Sequence, residues 1–287
     1  MKKSSKSTLI KSAAIASATL IPIYCYIQNN CIEVNEINYT SGKIPKGFDG
    51  FKLLHLSDLH NKEFGANQKN IIGKMTKCNP DIIVITGDLI DRRITKLATA
   101  IEFVTRAGKI APIYYVTGNH ERRSKDYTIL KRELLNHGVN IMDNKFEMLE
   151  KNGDQIQIMG LGDPVLTEYY SDSPFGERMS AVLGSLKKNH ESDFSILLSH
   201  RPEYFYMYAG CDIDLTLTGH SHGGQIRVPG IGGLFAPGQG FLPEYCGGVF
   251  HKGNSTLISN RGLGNTSRFP FRINNRPEIL AITLCSK

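Results

Sequence analysis

Apolar and polar residues alternate in blocks along this chain, and the block lengths predict its secondary structure. In the first half, short apolar runs bounded by turn residues are typical of buried strands. They predict strands over residues 51–56, 81–86, 111–117 and 139–142. Between these runs, apolar residues at helical spacing predict helices over residues 67–78, 95–107 and 125–137. Strands alternating with helices at this pitch indicate an α/β core with parallel strands.

The second half of the chain has a different pattern, because glycine and proline interrupt shorter apolar runs. Asn152-Gly153 is a hairpin signal between two such runs, and it predicts strands over 146–150 and 155–160. One helix is predicted over 180–190. Further strands are predicted over residues 194–199 and 213–218, near 226, and over 256–259 and 279–284. This second group of strands indicates a second sheet packed against the first.

The first 30 residues differ from the rest. Residues 12–27 are uncharged and mostly apolar, and they follow lysines at positions 2, 3, 6 and 11. A positive segment before an apolar one is typical of a signal peptide or a signal anchor. We favour the uncleaved anchor, because the apolar run continues past the small residues at 16–18. Its length is near the lower limit for a membrane span, about 17–25 residues.

Charge around the apolar run predicts its orientation. Lysines precede it, whereas Glu33 and Glu36 follow it, which favours a cytoplasmic N-terminus. We therefore expect attachment to the cell membrane through this segment, with the following domain on the extracytoplasmic side. The expected organisation is an anchor or signal peptide over 1–30, a linker with a leading strand over 31–50, and one catalytic domain over 51–287.

The amino-acid composition adds little specific evidence about function. The net charge is +7, of which four charges come from the N-terminal lysines, so the remainder is only mildly basic. Basic blocks with interleaved aromatic residues are absent from the sequence, so a nucleic-acid surface is not supported. The six cysteines lack metal-site spacing and are interpreted as buried or idle thiols. Their pairing and the oligomeric state stay open.

Residues that commonly bind metals or phosphates follow five of the predicted strands. They are Asp58 and His60; Asp88; Asn119, His120 and Glu121; His200; and His220 and His222. Ligand sites in open α/β sheets gather beyond the carboxyl ends of the strands. We therefore expect these five segments to converge. Gly87, Gly118 and Gly219 each precede a candidate ligand and permit close backbone approach.

The residue types indicate a pair of divalent cations. Asp58 and His60 are two positions apart, as are His220 and His222, so each pair can point at one ion. Mixed imidazole, carboxylate and amide ligands suit divalent ions such as Mn²⁺, Zn²⁺ or Fe²⁺. Asp88 is the best-placed carboxylate to bridge two ions. Two such ions can clamp the attacking and leaving oxygens of a phosphoryl group.

The ordered set of motifs resembles the calcineurin-like metallophosphoesterase superfamily. The motifs are Asp-x-His, Gly-Asp, Gly-Asn-His-Glu, His and Gly-His-x-His, and they span residues 58–222. Later segments, GHSHGGQIRVPG, APGQG and SNRGLGNTSRFPFRINNRPEI, resemble its membrane-associated bacterial phosphodiesterase branch. The resemblance implies a four-layer α-β-β-α sandwich, which agrees with two packed sheets. It also implies hydrolysis of a phosphate ester, and we expect a phosphodiesterase that acts at the cell envelope through a metal-bound hydroxide.

The resemblance also implies roles for individual residues. Asp58, His60 and His222 would bind the first metal. Asn119, His200 and His220 would bind the second, with Asp88 bridging. The catalytic residues would be His120, Asp88 and Asn119; His120 would contact the phosphate and protonate the leaving oxygen without holding metal.

Some alternatives stay open at this point. Arg201 could bind phosphate through its guanidinium or form an ion pair with Glu203. Glu121 is favoured as a structural partner of nearby groups. One alternative function is a UDP-2,3-diacylglucosamine pyrophosphatase of lipid A synthesis. Another, of a different class, is a catalytically inactive binding scaffold on the same fold.

Overall fold

The computed structural model describes residues 20–163, 175–188, 192–265 and 270–287. Its helices are α1 (described over 20–30), α2 (Lys69–Cys78), α3 (Leu97–Ala107), α4 (Asn119–Arg122), α5 (Tyr127–Asn136), α6 (Phe175–Lys188) and α7 (Phe205–Gly210). The strands of the first half are β1 (Glu33–Ser41), β2 (Lys52–Leu56), β3 (Ile82–Ile85), β4 (Ile113–Tyr115), β5 (Asn140–Ile141), β6 (Lys145–Lys151) and β7 (Asp154–Leu161).

The later strands are mostly shorter. They are β8 (Ser195–Ser199), β9 (Leu215–Thr218), β10 (Arg227–Val228), β11 (Gly232–Gly233), β12 (Phe235–Ala236), β13 (Gly240–Phe241), β14 (Gly248–Lys252), β15 (Ser255–Ser259) and β16 (Glu278–Ser286). Strands β10 with β11 and β12 with β13 form two small antiparallel ribbons.

Two six-stranded sheets form the centre of the molecule. The first has the order β1-β16-β2-β3-β4-β5, and the second has the order β14-β15-β9-β8-β7-β6. In the first sheet only the β16–β2 pair is antiparallel. In the second sheet the two outer pairs, β6–β7 and β14–β15, are antiparallel, and the inner pairs are parallel.

Strand β3 shows how alternating side chains bury both faces of a sheet. Ile82 and Val84 point into the core between the two sheets, whereas Ile83 and Ile85 join the core under the helices. A strand that is buried on both faces carries a continuous apolar run rather than an alternating pattern. This is why the sequence over 81–86 predicted a buried strand.

Three apolar cores separate four layers. One core lies between the first sheet and helices α2, α3 and α5, where Met75, Phe103 and Leu134 pack. A second fills the space between the sheets. A third joins the second sheet to α6 and α7 through Leu183 and Phe205. The order is therefore helix, sheet, sheet, helix, and the four-layer α-β-β-α prediction is confirmed.

Several boundaries differ from the predicted ones. Predicted strand 111–117 is only Ile113–Tyr115, and the last strand is longer than predicted, over Glu278–Ser286. The leading strand expected within 31–50 is Glu33–Ser41, which pairs along its whole length with β16. The end of predicted helix 180–190 lies outside the described residues. All six cysteines are free.

The predicted N-terminal anchor lies partly outside the described residues, because the structure describes it only from residue 20. From residue 20 onward, within the described ranges, no helix combines the length and apolar character that a bilayer crossing requires. Helix α1 contacts the domain near its C-terminal end, where Gln28 accepts a hydrogen bond from the Asn275 backbone at 2.9 Å.

Candidate metal centre

Asp58, His60 and His222 form the first group of candidate ligands. Asp58 and His60 follow β2, and His222 follows β9. The Nε2 atoms of the two histidines lie 3.2 Å apart, and Asp58 Oδ1 lies 3.4 Å from His222 Nε2. Asp58 Oδ1 is buried without a hydrogen-bond partner among the described residues. These spacings fit ligand atoms that each lie about 2.0–2.2 Å from one shared cation.

The second group contains Asn119, His200 and His220, and Asp88 connects it to the first. His200 Nε2 lies 3.1 Å from His220 Nδ1 and 3.2 Å from Asn119 Oδ1. Asp88 Oδ2 lies 3.3 Å from His200 Nε2 and 3.5 Å from His60 Nε2. One carboxylate oxygen therefore approaches both groups, which is the position that a bridging ligand needs.

The charges in this cluster are set by burial and by Asp88. Burial alone would lower the pKa of His200, but the carboxylates of Asp88, Asp58 and Asp163 together outweigh it and raise the pKa to about 10. Burial lowers the pKa of His222 to about 3. Although burial opposes ionisation of Asp88, His200 and His120 hold its pKa well below the usual range. Metal-free protein thus carries a His200–Asp88 ion pair, and a cation would replace its proton.

The backbone at these ligands is unusual. Five of the seven candidates have positive φ, between 46° and 65°: Asp58, His60, Asp88, His220 and His222. Side chains other than glycine seldom adopt this region, and such residues concentrate at functional sites. These positive φ values occur in the loops that follow β2, β3 and β9.

Glycines let the strand ends approach closely. Gly87 has φ +92°, and a side chain there would overlap the Gly118 backbone and lie 2.9 Å from His200 Nδ1. A Cβ at Gly219 would overlap Ser57 Oγ and Asp58 Oδ2. Close approach at these two positions is therefore a geometric requirement of the site.

Glu121 ties the ligand-bearing loops together. Its carboxylate accepts hydrogen bonds from the backbone N–H groups of Asp88 (2.8 Å), Gly118 (2.9 Å) and Ile90 (3.1 Å). Burial, followed by the nearby Asp88 charge, raises the pKa of Glu121 to about 7. The structure places Glu121 away from the ligand groups, in the structural position that the sequence favoured.

His120 lies at the edge of the cluster and lines the pocket. Its Nδ1 accepts the Arg92 backbone N–H at 3.1 Å, so a neutral ring carries its proton on Nε2. Burial lowers the pKa of His120 to about 4. A further cluster of possible ligand atoms contains His60, Asp91 and His120. The lone pair of His120 Nδ1, however, already accepts the Arg92 N–H and is therefore not free to bind a metal.

Arg201 is held by two carboxylates. Its Nε donates to Asp163 Oδ2 at 2.6 Å, and its Nη1 donates to Glu203 Oε1 at 3.1 Å. Glu203 was predicted from the sequence as a possible partner of Arg201, whereas Asp163 was not. A signal was available, because Gly162-Asp163 follows β7 just as Gly87-Asp88 follows β3. Arg201 also lines the pocket, so it stays a candidate for phosphate contact.

A pocket of about 700 Å³ opens above the two ligand groups. Part of its wall is cationic, with Arg92, Arg93 and Arg123. Another part is apolar, formed by residues of the segment around β10–β13: Ile226, Leu234, Phe235, Pro237 and Phe241. The volume lies in the usual range for small-molecule sites. It exceeds what a phosphate group alone would fill.

Comparison with known proteins identifies the family. A family model described as calcineurin-like phosphoesterase matches residues 51–224, which contain every candidate ligand. The chain belongs to the calcineurin-like phosphoesterase family. It is therefore a phosphoric ester hydrolase, and the alternative of an inactive scaffold is set aside.

Relatives agree with this assignment. The uncharacterised metallophosphoesterase YkuE of Bacillus subtilis (strain 168) is 32% identical over 266 residues, covering 91% of this chain and 88% of the relative. Phosphodiesterase YaeI of Escherichia coli (strain K12) is 27% identical over 243 residues, covering 82% of each. The crystal structure of TT1561 from Thermus thermophilus shares the fold, with a TM-score of 0.51 at 14% identity over 75% of this chain and 90% of that one.

Proposed function

We propose that this calcineurin-like phosphoesterase is a two-metal phosphodiesterase. The observation that carries the proposal is the position of Asp88 Oδ2, within 3.5 Å of a nitrogen in each ligand group. Asp58, His60 and His222 would hold one cation. Asn119, His200 and His220 would hold the other, and Asp88 would contact both. When bound, two divalent cations would activate water for attack and offset charge on the phosphoryl oxygens.

The protein's own residues complete the chemistry. His120 presents Nε2–H to the pocket, because its Nδ1 is engaged by the Arg92 backbone. That N–H can donate a hydrogen bond to a phosphoryl oxygen or to the leaving oxygen and so stabilise the negative charge that develops there, while the neutral ring keeps its proton. Besides contacting both cations, Asp88 would act by positioning, since its Oδ1 accepts the His120 backbone N–H at 2.8 Å. The bridging carboxylate thereby fixes the start of α4, which carries His120.

A diester is favoured over a monoester by the size of the pocket. The space of about 700 Å³ accommodates a group on each side of the phosphorus. The name of YaeI, a phosphodiesterase, supports the same substrate class. Mn²⁺, Zn²⁺ and Fe²⁺ are the candidate metals, because imidazole, carboxylate and amide ligands suit them.

The proposal is tested by hydrolysis of bis(p-nitrophenyl) phosphate with added Mn²⁺, Zn²⁺ or Fe²⁺. We expect His120→Asn to lower kcat about 10²–10³-fold while the bound metal content stays unchanged, because the residue supplies a hydrogen-bond donor and not a ligand. Asp88→Asn should lower both metal content and activity. The proposal fails if purified wild type binds no metal, or if both variants match it.

The cell envelope is the proposed location. The lysines before the apolar segment 12–27 and the acidic residues after it support membrane attachment with an outward-facing domain. Protease added to intact cells should then degrade the domain. Protection until the membrane is broken would place it inside and would contradict the proposal.

A further inference from the structure

A pair of exposed phenylalanines stands at the mouth of the metal centre. Phe241 is 83% exposed and Phe235 is 46% exposed, yet both line the pocket that contains Asp88 and His120. We call these two rings, with Ile226, Leu234 and Pro237, the apolar lip. Single exposed apolar residues are ordinary, but a cluster beside a catalytic pocket marks a binding surface.

The apolar lip is built on a braced hairpin. Phe235 and Phe241 are opposite each other in the β12–β13 ribbon, with ring centroids 5.5 Å apart in an edge-to-face arrangement. Gln239, in the turn, exchanges two hydrogen bonds with the Tyr245 backbone, each 2.9 Å. These contacts hold the rings in place without covering them.

The same hairpin contacts the machinery of the second ligand group. Gly238, in its turn, lies so close to Glu203 that a Cβ would overlap Oε1. Glu203 Oε1 accepts from Arg201 Nη1 at 3.1 Å and lies 3.8 Å from His220 Nε2. The apolar lip is therefore held in a fixed position relative to the second ligand group.

Two kinds of surface thus meet in one pocket. The ligand groups and the Arg92 and Arg93 guanidinium groups suit a phosphate anion; neither guanidinium has a carboxylate partner among the described residues. The apolar lip presents apolar side chains to the ester group that is attached to that phosphate. A ligand that satisfies both surfaces is amphiphilic.

We propose that the substrate is an amphiphilic phosphate ester whose apolar ester group packs against Phe235 and Phe241. The proposal rests on the phosphodiesterase function proposed above and specifies its substrate class. Burial of an alkyl group on this lip would strengthen binding about fourfold for each methylene that leaves water, at about 0.8 kcal/mol each.

Helix α1 supports a lipid origin for such an ester. Leu20, Ile21 and Ile23 on this helix are each more than half exposed. Tyr24 Oη donates to Asn274 Oδ1 at 2.6 Å, and Asn274 Nδ2 donates to the Arg227 carbonyl at 3.2 Å. A second exposed apolar surface is thereby joined to the segment from which the apolar lip begins.

The test compares p-nitrophenyl methyl phosphate with p-nitrophenyl octyl phosphate, which share one leaving group. Full-length, metal-loaded protein should hydrolyse the octyl ester with a kcat/KM at least tenfold higher, measured below the concentration at which it forms micelles. Phe241→Ser should remove about tenfold of that advantage, because it slows the octyl ester about tenfold more than the methyl ester. Leu135→Ser, at a 54% exposed apolar position on α5, is the matched control and should change neither rate.

Other outcomes overturn the inference. If wild type hydrolyses both esters equally, or if Phe241→Ser slows both equally, the apolar lip does not select an apolar group. If Phe241→Ser slows only thymidine p-nitrophenyl phosphate, the rings stack on a base and the amphiphile assignment is wrong. Failure to hydrolyse any diester with any metal would instead reject the proposed function itself. Hydrolysis of octyl ester dispersed in phosphatidylcholine vesicles distinguishes a bilayer lipid from a free monomeric ester as the natural substrate. A sustained rate of hydrolysis indicates a bilayer lipid, and an abolished rate indicates a free monomeric ester.

Discussion

Arg201 shows how a charged side chain can be buried beside a metal centre. It is only 7% exposed, and Asp163 and Glu203 accept its hydrogen bonds. Burial raises the pKa of Asp163 even though Arg201 opposes this. The ion pair therefore only partly offsets the cost of burying the carboxylate, and its main effect is to fix the guanidinium. A fixed guanidinium 3.5 Å from His220 Nε2 can meet a phosphate oxygen without reorganising.

Asp163→Asn should lower the free energy of unfolding by about 2 kcal/mol, because the buried Arg201 loses its charged acceptor at Nε. It should also raise KM for a diester, since the guanidinium is less firmly held. Urea unfolding and steady-state kinetics measure the two effects. The control is Glu102→Gln, which breaks the exposed Glu102–Arg106 pair and should change stability by less than about 0.5 kcal/mol. Equal effects of the two substitutions would contradict this account.

His200 predicts how the stability of the metal-free protein depends on pH. Its folded pKa, about 10, lies above the ordinary value of 6.5, so the folded state binds the proton more tightly than the unfolded state. The resulting stabilisation is complete below pH 6.5 and is lost as pH rises towards 10. Between pH 6.5 and 9 we therefore expect wild type without metal to lose a few kcal/mol. Unfolding in urea with chelator present measures this, and His200→Gln should lack most of the slope.

At the scale of elements, the site depends on the ends of strands more than on their interiors. Four of the five ligand-bearing loops, those after β2, β3, β4 and β9, leave their strands through a glycine or a residue of positive φ, and neighbouring loops touch there. Glu121 then binds three of the resulting backbone N–H groups. A small displacement of these strand ends would therefore move ligands of both groups.

Gly219→Ala should therefore disrupt the centre without unfolding either sheet. The added methyl group would overlap Ser57 Oγ and Asp58 Oδ2, forcing β9 away from the end of β2. We expect bound metal and activity to fall at least tenfold, as measured by plasma mass spectrometry and diester hydrolysis. Gly73→Ala in α2 is the control, since nothing lies within 4 Å of its Cβ and alanine favours a helix. Normal metal content in Gly219→Ala would refute the argument.

The same elements show which parts of the fold and of the site could be predicted from the sequence. Buried strands such as β3 carry continuous apolar runs, and polar residues after them were predicted to converge as ligands. The pairing of β1 with β16 was not predictable, because it joins the two ends of the domain across more than 200 residues of sequence. Positive φ at Asp58 or His220 is also invisible in a pattern of residue types. Asp163 was missed although its Gly-Asp signal was present.

For the whole molecule, the metal centre lies where the two sheets meet. Asp58, Asp88 and Asn119 follow strands of the first sheet, whereas His200 and His220 follow strands of the second. Each proposed cation would therefore take ligands from both sheets, because His222 accompanies Asp58 and Asn119 accompanies His200. Bound metal would cross-link the two halves of the sandwich.

Metal removal should for this reason destabilise the entire fold and not only the site. A cation at 100 times its Kd stabilises the folded state by about 2.7 kcal/mol, which for a chain of this size corresponds to a Tm shift of about 4–5 °C. We expect a chelator to lower the Tm of wild type by at least this amount, and Mn²⁺ or Zn²⁺ to restore it. Asp88→Asn, which weakens both ligand groups, should show a Tm nearly independent of chelator. If wild type melts at one temperature with and without metal, the cations do not join the sheets, and the ligand groups then act on substrate without contributing to the fold.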